Sequence, residues 1–91
     1  IHIHSPRIWR QAQALQLPVT AGFARYGTPQ MAHEVERLLK ADPGATQGVF
    51  VMGGHEDGVV SYASDINTAG ELLLKLRRYE RAVADLTRVE G

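Results

Sequence analysis

The chain has 91 residues, 44% of them hydrophobic and 22% charged, which is the make-up of one small folded domain rather than of a disordered segment. Ten basic residues balance ten acidic ones, which argues against a nucleic-acid binder held by bulk charge. With no cysteine, disulfides and thiolate metal sites are excluded, and a reducing, cytoplasmic location is the expectation. No apolar run approaches the ~18 residues of a membrane-spanning helix, and the first residues lack the basic-then-apolar pattern of a secretory leader.

Ile1-His2-Ile3-His4 alternates with period two and reads as a strand with one buried face. No turn or cap precedes it, so further polypeptide upstream is expected. Ser5 is a plausible cap and Pro6 a first helical residue. From Arg7 to Gln16, the spacing of Ile8, Ala12 and Leu15 predicts an amphipathic helix. Leu17 to Ala21 reads as a short strand, with Pro18 placing it at an edge.

Thr28 and Pro29 open a second helix, striped by Met31, Val35, Leu38 and Leu39 and stopped at Asp42-Pro43-Gly44. Thr46 to Met52 predicts a buried strand. A glycine-rich bend, Gly53 to Gly58, returns the chain through Val59 to Tyr62 as a hairpin. Ser64 or Asp65 then caps a long helix striped by Ile66, Ala69, Leu73, Leu76, Tyr79, Val83 and Leu86. Glu71 and Lys75, and Arg81 and Asp85, are opposite charges one turn apart. About 22 helical residues would span ~33 Å, so the end beyond Tyr79 should overhang the sheet. The order β-α-β-α-β-β-α predicts one α/β domain over residues 1–91 with a small mixed, largely antiparallel sheet.

The sharpest chemical feature is His2 and His4. On a strand, residues two apart point to the same face, ~6–7 Å apart, so two imidazoles can converge on one divalent ion. His55 lies in the glycine-rich bend, where it could complete a three-histidine site with a coordination position left open. Glu56 and Asp57 could orient an imidazole or replace one as a ligand, although Asp57 before Gly58 also suits plain turn chemistry. His33 falls off its helical stripe and reads as a surface residue. Trp9 and Tyr26 read as packing or interface residues, and Arg77, Arg78 and Arg81 as a solvated face able to meet a carboxylate or phosphate. Gly53-Gly54 is too short for a phosphate loop and precedes a strand, and Ser5 has no readable acid–histidine partners.

Taken together, Ile1-His2-Ile3-His4-Ser5-Pro6, Tyr26-Gly27-Thr28-Pro29 opening a helix, Gly54-His55-Glu56-Asp57-Gly58-Val59-Val60, and a final helix with Ala69-Gly70 resemble the class II aldolase/adducin family. The likeness spans nearly the whole chain and is to the C-terminal portion of such a three-layer domain. It implies that His2, His4 and His55 hold zinc or another divalent metal. It implies an aldolase- or epimerase-type lyase chemistry on a sugar phosphate or related carbonyl compound, and a homo-oligomer, often a tetramer. It places the acid/base carboxylate and phosphate loops upstream of the His-x-His strand, so the resemblance assigns no catalytic residue here. Where the family often has His-Gly, this chain has His55-Glu56-Asp57-Gly58, and the added negative charge would favour a cation over an anionic substrate. The alternative is a non-catalytic, adducin-like module that keeps the fold and serves assembly.

Overall fold

The computed structural model describes residues 1–90, with side chains to residue 83. Its elements are β1 (His2–His4), α1 (Pro6–Arg10), α2 (Pro29–Ala41), β2 (Gly48–Val51), β3 (Gly58–Tyr62) and α3 (Ile66–Glu90). The sheet runs β1-β3-β2, with both pairings antiparallel. The expected Leu86, and Asp85 of the Arg81–Asp85 pair, lie outside the residues with described side chains.

Strand alternation builds two cores from one sheet. Val51 and Val59 point to one face, where Ile8, Ala12, Leu15 and Leu73 cover them. Phe50 and Met52 point to the other, where Ala24 and Met31 pack on them. Helices α1 and α3 therefore lie on one side and α2 on the other, an α/β domain with helices on both faces of its sheet.

The helix starts follow their capping residues. The Ser5 hydroxyl accepts from the Ile8 N–H at 3.3 Å, and the Thr28 hydroxyl accepts from the Met31 N–H at 3.3 Å. Asp65, rather than Ser64, caps α3 by accepting from the Thr68 N–H at 2.8 Å. That bond and the Thr68 hydroxyl hold the Asp65 carboxyl below the usual carboxylate range.

Two predicted elements are shorter than expected. The helix predicted over Arg7–Gln16 is regular only to Arg10 and continues as turns. Gln16 adopts the left-handed conformation, with φ 57°, and Leu17 N–H donates to the Ala12 carbonyl at 2.9 Å, a hydrogen bond that ends a helix rather than extending it. Ile8, Ala12 and Leu15 are nonetheless buried as the spacing required. The strand predicted over Leu17–Ala21 is a single parallel bridge, Val19 to Val51. Val51 donates to the Pro18 carbonyl and Thr20 donates to Val51, while Pro18, with no N–H, cannot extend the ladder. The observed order is thus β-α-α-β-β-α.

The stripe of α3 also departs from the reading. Ala69 and Leu73 are buried, but Ile66 and Tyr79 are 74% and 57% exposed. The inward position in that turn is Glu80, 2% exposed, whose carboxylate accepts from Gln11 Nε2 at 3.0 Å. Steps of four, three, four and three residues from Ala69 lead through Leu73, Leu76, Glu80 and Val83, which is the helical period. Among the described residues the ion pairs within 4 Å join Glu34 to Arg37 and Glu36 to Lys40 on α2; Glu71 and Lys75 do not form one. None of the described helices is long and apolar enough to cross a membrane.

Candidate metal centre

The β1–β3 register sets the site. His2 stands opposite Val60, Ile3 opposite Val59 and His4 opposite Gly58. Ile3 therefore joins the face of Val59, under α1 and α3, and the two histidines share the opposite face with Val60. At the end of β3 the bend folds back over Gly58. His55 N–H donates to the Met52 carbonyl at 3.2 Å, and Gly58 N–H donates to the His55 carbonyl at 2.9 Å. These bonds bring His55 over the same face as His2 and His4.

The bend is seated by close backbone approach. A Cβ at Gly54 would stand 1.7 Å from the Ala24 carbonyl oxygen, so no other residue fits there without moving the bend. Gly53 N–H donates to the Thr20 hydroxyl at 3.0 Å, and Thr20 is 2% exposed. On the other side, Trp9 Nε1 donates to the Met52 carbonyl at 2.9 Å. Asp57 sits in the left-handed region with φ 65°, and its carbonyl accepts from the Ser5 N–H at 2.8 Å. The turn-chemistry reading describes its backbone. Its Oδ1 is buried with no hydrogen-bond partner.

The three imidazoles meet. Ring centroids are 5.1 Å apart for His2–His4, 5.4 Å for His2–His55 and 5.0 Å for His4–His55. One ligand atom from each ring lies within 4.8 Å of the other two. Tetrahedral zinc, with bonds of ~2.0–2.1 Å, spaces its nitrogens ~3.3 Å apart, so a modest turn of the rings completes the arrangement. The exposed side chains of His2 and His4 permit that turn. The donor set fits a divalent ion of borderline softness. His55 Nε2 is buried and has no hydrogen-bond partner, a state that a ligand from outside the protein would relieve. Partial desolvation by the rings around it, with the neighbouring His4 and His55, lowers the pKa of His2 below its ordinary value, which keeps that ring in the neutral, ligating form to lower pH.

The remaining candidates fall elsewhere. His33 is exposed on α2, away from the cluster. Glu56 is exposed on the bend, and neither it nor Asp57 belongs to the convergent group. Tyr26, read from the sequence as a packing or interface residue, packs against the cluster itself: it stacks on His55 with ring centroids 4.6 Å apart. Beside these two rings lies a hollow of about 580 Å³, also bordered by Trp9, Arg25 and Gly54. A larger groove of about 1250 Å³ is lined by α1, α3 and His4; it is more spacious but includes neither His2 nor His55.

Compared with known proteins, the chain matches no family model, no curated protein and no solved structure.

Proposed function

We propose that this domain binds a divalent metal, zinc or a similar ion, through His2, His4 and His55 and acts as a class II aldolase- or epimerase-like unit on a small carbonyl compound. The observation that carries the reading is the convergence of the three imidazoles to within 4.8 Å, together with a buried, unpartnered nitrogen on one of them. Three neutral protein ligands leave a coordination position for substrate oxygen, the pattern of a catalytic rather than a structural site. When bound, the metal supplies a Lewis acid that polarises a carbonyl and stabilises negative charge on its oxygen.

The chain's own residues would divide the remaining work. The bend presents His55 at the hollow, where Trp9 and Tyr26 provide apolar walls for a substrate of modest size. Arg25 borders the same hollow and makes no ion pair among the described residues, so its guanidinium can meet a phosphate or carboxylate. The exposed Glu56 lies on that border too and opposes a highly charged anion, so a monoanionic or weakly charged carbonyl compound suits the hollow best. The three-layer aldolase-type architecture, a homo-oligomeric state and a cytoplasmic location belong to this same reading.

The test is metal content followed by turnover. Protein equilibrated with zinc and dialysed is expected to retain one ion per chain, and His55→Ala to lose it. The loaded protein is expected to cleave or epimerise members of a panel of aldoses, ketoses, sugar acids and sugar phosphates, the neutral and singly charged members fastest. A second reading, a non-catalytic adducin-like assembly module, is favoured by a convergent group that, among the described residues, contains no carboxylate and by exposed Ile66, Leu74 and Tyr79 on α3. It predicts a metal-free native protein in which His2 and His4 can be replaced without loss.

A further inference from the structure

We infer that Tyr26 is a positioning residue of the histidine cluster, the wall against which His55 and His2 are held in the orientation that ligation needs; this rests on the metal-binding reading above. The Tyr26 ring lies 4.6 Å from His55 at 23° and 5.3 Å from His2 at 40°. Two of the three candidate ligand rings therefore lean on one phenol.

Metal-binding imidazoles are ordinarily oriented by a hydrogen bond from the ring nitrogen that does not bind the metal. Here no protein group among the described residues makes such a bond to the rings of His2, His4 or His55, and Nε2 of His55 is buried without a partner. Stacking on Tyr26 takes the place of that bond for His55. Without it, the ring on the bend could rotate about its side-chain torsions and lose the common point it shares with His2 and His4.

The seat of Tyr26 is itself fixed. Ala24, two residues before it, is completely buried against the core of Met31, Phe50 and Met52. Two residues after it, the Thr28 hydroxyl donates to the Arg25 carbonyl at 2.6 Å while Thr28 caps α2. The loop is thus clamped between the core and a helix start. Yet Tyr26 is 59% exposed, so burial of its own surface does not account for its place. Its contacts are with the histidine rings, and its ring also borders the hollow beside them.

The experiment compares cobalt(II) binding by the wild-type protein, Tyr26→Phe and Tyr26→Leu, read by the visible absorption of the bound ion. The His55 ring-proton shifts of the metal-free proteins are read by NMR. Tyr26→Phe, which keeps the ring, is expected to match wild type in cobalt affinity and spectrum. Tyr26→Leu is expected to bind about tenfold more weakly, the scale of a lost orienting partner, with an altered cobalt band, an unchanged melting temperature, and loss of the upfield shift that a stacked phenol gives His55. A Tyr26→Leu protein with wild-type affinity and spectrum overturns this inference and leaves the metal site standing. A wild-type protein that takes up no cobalt, with His55 still shielded by Tyr26, overturns the metal reading and the inference with it.

Discussion

The imidazole of His55 occupies the space that a side chain at Gly58 would fill. A Cβ at Gly58 would stand 2.7 Å from His55 Cδ2 and 2.9 Å from the His55 carbonyl oxygen. Gly58 is also the residue paired with His4 across the sheet. One glycine therefore lets the third ring close over the strand that carries the other two.

Gly58→Ala is accordingly expected to injure the site more than the fold. The new methyl group must displace the His55 ring, the tip of Met52 or the bend itself. Overpacking of this kind costs roughly 1–3 kcal/mol of stability, readable by urea unfolding. Zinc affinity is expected to fall at least ~10-fold, as it does when ligand orientation is lost. Unchanged zinc affinity would show that the ring position depends on something other than the missing Cβ.

Acid should weaken the contact that ties α2 to the segment before it. Glu34 accepts from the Ala21 N–H at 2.6 Å and from Arg37. The Arg37 guanidinium first, and the Ala21 N–H second, hold its carboxyl below the ordinary value of 4.5. A carboxyl depressed in the folded state binds its proton more readily when unfolded. Its stabilising effect is therefore complete above the unfolded pKa and is lost as pH falls through the lower folded value. Thermal melts of wild type and Glu34→Gln should differ at neutral pH and converge at pH values below 4.5. A gap between the two that persists through the acid range would contradict an ionic origin.

Gln11 supplies the hydrogen bond given to a buried acid. Removing its amide in Gln11→Ala leaves the Glu80 carboxylate without that donor, a loss of about 1–3 kcal/mol. Replacing both Gln11 and Glu80 by leucine is expected to restore most of it, because two apolar groups leave nothing unsatisfied. Urea midpoints of the two variants measure this, and a double variant less stable than Gln11→Ala would refute the account.

Much of the candidate site is legible along the chain because it is local. The period of a strand puts His2 and His4 on one face, and the glycines around His55 mark a bend. The pairing of β1 with β3, which joins the two pieces, is a long-range choice that no local pattern contains. Tyr26 escapes for the same reason: nothing near it in the chain marks its stacking on His55. The segment around Val19 carries the apolar residues of a strand, yet Pro18 leaves it one bridge long. On α3, hydrophobicity selects Tyr79 for burial, whereas the helical phase set by Ala69 and Leu73 buries Glu80 beside it.

X-ray absorption at the zinc edge of the metal-loaded protein tests the central claim most directly. The account predicts a spectrum with three imidazole nitrogens at about 2.0–2.1 Å, completed by a further oxygen or nitrogen neighbour, and no retained zinc in His55→Ala. A protein that retains no zinc, or a zinc spectrum without the multiple scattering of histidine rings, would contradict it.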